Sequence, residues 1–156
     1  TTGNVDVVTT IKDQAVTQGE AVDKYWVAEF VRNFEDYDYN TIQSTYDRTL
    51  TMTAPNVSNS YKKLYTGENG RHLVLGEAGS IVSEVVSVII DKGESANVAR
   101  VRFKTTTTKG GQSYVNNYIA TIGYEYDKSA ISDSKRLLNP LGFKVTSYTV
   151  SNEVIK

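Results

Sequence analysis

The chain reads as an α+β domain, with about three amino-terminal helices packed on a curved four-stranded antiparallel sheet. Three observations carry this reading. Apolar residues in the first half recur at helical spacing. Near residue 79 the texture changes to alternating β-branched residues broken by glycine turns. The turns between the later segments are short, which makes their strands antiparallel neighbours. Helices and strands segregated in this way give an α+β layer arrangement rather than an alternating one.

Residues 1–19 show no sustained helical period, and Val5, Val7 and Ile11 read as an extended lead-in ahead of a single domain spanning 20–156. From about Glu20 to Asp36 the pattern is helical. At 100° per residue, Trp26, Val27, Phe30, Val31 and Phe34 share one arc, the core face. A second helix is predicted from about Asn40 to Met52, with Ile42, Tyr46 and Leu50 on one side and Asp38 or Asn40 as its N-cap. Ala54-Pro55 ends it. A third, short helix starts near Asn56, carries Val57, Tyr61, Leu64 and Tyr65, and stops at Gly67.

Strands follow over residues 80–90, 96–108 and 113–126, joined by "DKGES" and "KGGQ" turns. In the third strand, alternation sets Tyr114, Asn116, Tyr118, Ala120, Ile122, Tyr124 and Tyr126 on one face, and Val115, Ile119, Thr121 and Gly123 on the other. A polar stretch, "DKSAISDSK", then leads to Asn139-Pro140-Leu141-Gly142 and a last strand from Phe143 to about Val154. Proline fixes one backbone angle and Gly142 can take a positive φ, so the four residues form a defined turn.

Composition narrows the function. The 17 Lys and Arg nearly balance 18 Asp and Glu, so no overall field favours nucleic acid, acidic lipid or acidic substrates. The absence of cysteine removes thiolate catalysis, disulfides and cysteine-ligated metals. No apolar run approaches the roughly 18 residues of a membrane span. A first residue other than methionine suggests a soluble piece of something longer.

Candidate chemistry is sparse. His72 is the only histidine and has no second histidine or cysteine at metal-ligand spacing, so it reads as structural or solvent-facing. The glycines lack phosphate-loop spacing, and there is no GxSxG elbow. Glu29, Glu35, Asp36 and Asp38 cluster at the end of the first helix, yet their projection favours a solvated face over a paired acid and base. "KTTTTKGGQ" is basic at its edges without interleaved aromatics and reads as a strand end, not a nucleic-acid groove. The eleven tyrosines suit surfaces that are alternately wet and buried, or cross-strand stacking. On the first helix, Val22 and Tyr25, with small Ala21 and Ala28, fall off the core arc and form a candidate contact patch.

Three blocks carry a family resemblance: "VDKYWVAEFVRNFEDYDYNTIQSTYD" (22–47), "YIATIGYEY" (118–126) and "RLLNPLGFKVTSYTVSNE" (136–153). Together they resemble the VirB-eight family, an inner-membrane component of bacterial type IV secretion and conjugation machines. The resemblance implies the periplasmic domain of a single-pass membrane protein, with the nuclear-transport-factor-two-like fold and residues 1–19 as its membrane-proximal segment. It implies a non-enzymatic scaffold without cofactor or metal, acting by weak homodimerisation and contacts to other channel subunits, with no direct nucleic-acid binding. Self-association would use Val22, Tyr25 and Asp133, with Asn139, Pro140, Leu141 and Gly142 setting the geometry of that edge. Thr121 and Tyr148 would meet other subunits.

The same cone-shaped fold also hosts isomerases, dehydratases and small-ligand binders, so fold alone leaves an enzyme reading open. Such a site needs a carboxylate facing an empty cone, for which Glu84 or Glu125 stands as candidate base. A cone plugged by Trp26 and Phe30 argues against it.

Overall fold

One antiparallel sheet in the order β1-β2-β3-β4-β5 curls around the end of a long helix. The elements are α1 (Thr2–Glu35), β1 (Tyr37–Asp38), α2 (Ile42–Thr51), α3 (Pro55–Lys63), α4 (Arg71–Leu75), β2 (Ser80–Lys92), β3 (Asn97–Lys109), β4 (Gln112–Tyr126), α5 (Asp133–Arg136) and β5 (Phe143–Asn152). The structure, a computed structural model, describes the backbone of residues 2–127 and 132–154, and side chains within α1 from residue 19 onward.

Several expectations need correction. The sheet has five strands, because β1 adds two residues beside Ser80 and Ile81; so short a strand leaves no alternation to read. Helix α1 begins at Thr2, where an extended lead-in was expected over 1–19. Gly19 costs a helix only about 1 kcal/mol and is flanked by good helix formers. The side chains of Val5, Val7 and Ile11 lie outside the described residues, as do residues 128–131 of the polar stretch. The remainder of that stretch forms the one-turn α5. The N-cap of α2 is Thr41; Asp38 instead accepts the Asn40 N–H at 2.8 Å and shapes the approach. Among the described residues no helix is long and apolar enough to cross a membrane.

The core forms where the α1 arc meets the concave face of the sheet. Val27, Phe30, Val31 and Phe34 are buried against Val101, Phe103, Ala120, Ile122 and Val145, with Met52, Val57 and Tyr61 closing one side. Each such side chain contributes roughly 1.5–3 kcal/mol by leaving water. Trp26 is only half-buried, at the rim of this cluster.

Two irregularities bend the strands. Val86 interrupts the β2 register, and Thr146 is the extra residue on β5 opposite Gly123. Such bulges raise local twist and curl a sheet. A Cβ at Gly123 would sit 2.5 Å from Ser147 Oγ, so a larger residue there would displace the hydroxyl that accepts the Gly123 N–H at 3.1 Å. The α2–α3 junction then docks on β5. Val145 N–H donates to the Met52 carbonyl at 2.8 Å, and Ala54 N–H donates to the Val145 carbonyl at 2.9 Å.

The turn ahead of β5 matches its sequence reading. Gly142 has φ +67° and its N–H donates to the Asn139 carbonyl at 3.2 Å. Asn139 does more than start the turn. It is fully buried; its Nδ2 donates to the carbonyls of Thr51 (3.1 Å) and Phe143 (2.8 Å), and its Oδ1 accepts the Phe143 N–H at 2.9 Å. Asn139→Ala should therefore lower unfolding free energy by about 3 kcal/mol, because buried backbone groups lose their partners. Pro140→Ala, at an exposed position, should cost about 1 kcal/mol or less. Urea denaturation of the two variants checks the contrast.

Candidate protein-interaction site

Val22 and Tyr25 lie on the solvent side of α1, 40% and 56% exposed. Asp23, between them, faces the other way. Asp23 is buried, accepts the Tyr124 hydroxyl at 2.7 Å and the Tyr126 hydroxyl at 2.5 Å, and pairs with Lys92 Nζ at 3.2 Å. Burial and then the bond to Asp23 push both tyrosine hydroxyls well above their ordinary value of 10.0, so they remain donors. This turn of helix is thus fixed to the end of β4 and β2 while Val22 and Tyr25 face water.

Aromatic packing joins it to the Asn139 turn. Tyr25 meets Trp26 edge-on at 5.4 Å, Trp26 stacks on Phe143 at 6.1 Å, and Asn139 holds the Phe143 backbone. Leu137 and Leu138, just after α5, are also exposed, so the same end of the molecule carries further apolar surface. Asp133 is exposed on α5 with Arg136 at 3.8 Å.

Thr121 and Tyr148 do not share a face. Thr121 is exposed on the convex side in a row with Arg100 and Thr149. Tyr148 points into the cone, with its ring against Phe30 (5.0 Å) and Phe34 (4.7 Å) and its hydroxyl donating to Glu35 at 2.7 Å.

The carboxylates at the end of α1 correct the solvated-face expectation. Burial raises Glu35 above its ordinary 4.5, against the Tyr148 hydroxyl and the charge of Arg71, which lower it. Asp36 is raised above 3.8 by burial as well, while Ser83 opposes this through its hydroxyl (2.5 Å) and N–H (2.7 Å). Arg71 donates to the Phe34 and Glu35 carbonyls at 3.3 and 3.1 Å, satisfying the helix end. Glu29 pairs with Arg32 at 2.5 Å, and Asp38 is exposed. A carboxylate outside the apolar arc need not be wet when a curled sheet wraps past the helix end.

Little here resembles a reaction centre. Glu84 is exposed and paired with Lys104 at 3.0 Å, and Glu125 is exposed on the convex face. The middle of the cone is filled by Phe30, Val101 and Ile122, all fully buried. His72 lies in α4, tilted against Tyr65 at 5.9 Å. Among the described residues no metal-binding cluster exists. Asp23 escaped sequence reasoning, although a signal existed: it stands one helical turn before Val27, on the arc assigned to the core.

A family model described as VirB8 protein matches residues 1–153. The chain belongs to the VirB8 family. It is 35% identical to the type IV secretion system protein VirB8 of Brucella abortus over 157 aligned positions, covering 98% of this chain and 64% of that protein. The chain therefore spans just under two thirds of that relative's length. Among solved structures, TrwG of Bartonella birtlesii, a type IV secretion system component, superposes with TM-score 0.79 at 39% identity, covering 87% of this chain and 94% of that one. VirB8 of Agrobacterium tumefaciens gives TM-score 0.78 at 30% identity, covering 89% and 96%. The helix-backed curled sheet is the nuclear-transport-factor-two-like fold of VirB8 proteins.

Glu35 gives a pH signature. Its folded value lies above the ordinary 4.5, so the native state holds this proton more tightly than the unfolded chain does. The resulting stability is present below pH 4.5 and is lost as pH rises through the raised value. Glu35→Gln should remove that component, flattening the decline in Tm above pH 4.5 relative to wild type. Thermal unfolding across mildly acidic pH compares the two slopes.

Proposed function

We propose that the chain is a non-enzymatic scaffold domain of a type IV secretion channel, working through self-association and contacts to other channel subunits. The observation that carries this reading is the pairing of exposed Val22 and Tyr25 with buried Asp23 on one turn of α1. A helix turn anchored by a buried polar group and presenting apolar side chains to water is built to meet another surface. The names of the Brucella and Bartonella relatives as type IV secretion proteins support the setting. By the same family resemblance, the domain sits on the periplasmic face of the inner membrane, carried by a single-pass anchor.

Asp133 and the Asn139–Gly142 turn complete the proposed self-association edge, which Trp26 and Phe143 couple to α1. A patch of a few side chains makes a small, transient homodimer. Thr121 serves contacts to other subunits from the convex face, whereas Tyr148, its ring packed inside the cone, serves them only through the backbone of the last strand.

Tyr25→Arg places a charge in the patch without touching the core, so it should abolish concentration-dependent dimerisation and leave Tm unchanged. Sedimentation velocity over a concentration series, with a thermal melt of each protein, checks both outcomes. A wild-type domain that stays monomeric at every concentration contradicts the proposal.

A further inference from the structure

We infer that the outer edge of β5 docks a single extended, uncharged polypeptide strand alongside residues 147–152. This deepens the last-strand contact proposed above and rests on it only for the existence of a partner; the geometry is independent of the α1 patch.

β5 ends the strand order, and its outer edge is covered only at its start. Val145 bonds to Met52 and Ala54, and the Thr146 carbonyl accepts Asn56 Nδ2 at 3.0 Å. Further along, Glu153 N–H donates to the Asn117 carbonyl at 2.8 Å, and the register pairs Tyr148 with Ile122, Val150 with Ala120 and Asn152 with Tyr118. Alternation then directs the backbone of Ser147, Thr149 and Ser151 toward β4, and that of Tyr148, Val150 and Asn152 outward. None of the hydrogen bonds among the described residues uses those outward N–H and C=O groups.

Sheet edges are ordinarily blunted by charge, proline, bulges or cover. The opposite edge of this sheet follows that rule: β1 pairs with the start of β2, Asp36 takes the Ser83 N–H, and β2 carries Glu84, Asp91, Lys92 and a bulge. β5 does not. Between Lys144 and Glu153 it has neither a charge nor a proline.

The occupant's chemistry follows from what lies beside this edge. A cleft of about 210 Å³ separates β5 from α3, lined by Phe34, Val57 and Tyr148 together with neutral Asn56, Ser60 and Ser147. Asn56, Val57 and Ser60 of α3 line the cleft opposite β5, so an added strand would run between the edge and this helix. No charged side chain lines the cleft, so a charge carried into it would lose water without gaining a partner. The strand that fits is neutral, with an apolar side chain entering beside Tyr148 and small polar ones on alternate positions.

The test uses the full chain, ¹⁵N-labelled, and a capped neutral octapeptide alternating valine with threonine as probe. Amide shifts should centre on Tyr148, Val150 and Asn152, with slowed hydrogen exchange there. Val150→Pro removes an outward N–H without breaking the β4 ladder and should weaken binding about ten-fold. Val150→Thr should bind as wild type does, as should Tyr25→Arg even where that change abolishes self-association. An octapeptide with lysine in place of valine should bind more weakly. Shifts absent from β5, or unchanged binding by a folded Val150→Pro domain, overturn the inference. So does concentration-dependent protection of Val150 without peptide, which would assign the edge to a second copy.

Discussion

A single buried carboxylate governs how this fold presents its helix. Asp23 has left water, and it is held there by two tyrosine hydroxyls from β4 and the ammonium of Lys92 from β2. Removing one partner of such a group leaves the others desolvated, which is why breaking buried polar contacts costs more than making them gains. Apolar packing alone lets a helix roll by a fraction of a turn on a sheet. Directed bonds from Tyr124 and Tyr126 fix its rotation, and with it the outward direction of Val22 and Tyr25.

The far end of the described part of α1 is tied by the same logic with different groups. Glu35 receives the Tyr148 hydroxyl, Asp36 the Ser83 hydroxyl and N–H, and the last carbonyls receive Arg71. Between these two polar ends Val27, Phe30, Val31 and Phe34 supply the burial. The helix is therefore clamped at Asp23 and at its carboxy-terminal end, and packed between them. That suits the proposed role of this turn, meeting a partner in a fixed orientation. A rigid presenting element spares a small interface part of the ordering cost of association.

Much of this was legible in the residues. The core arc of α1 was readable because five large apolar side chains share one face at helical period, and the strands because β-branched alternation is broken by short turns. The Asn139–Gly142 turn was readable because proline and glycine each restrict the backbone in a known way. Other features were not. Two-residue β1 is shorter than any period. The burial of Glu35 and Asp36 depends on how far the sheet curls, which bulges at Val86 and Thr146 set and which no local pattern encodes. The inward turn of Tyr148 has the same origin: its face follows from the extra residue at Thr146, and a strand read without that bulge assigns the wrong parity.

The central claim is that the Asp23 clamp holds in place the turn of α1 proposed to self-associate. Hydrogen exchange along α1 in Asp23→Ala, measured together with its sedimentation behaviour, tests this most directly. Expected is faster exchange confined to the turns around Asp23, unchanged protection from Val27 to Phe34, and a weakened dimer. An Asp23→Ala domain with wild-type protection around residue 23 and undiminished self-association would contradict the claim.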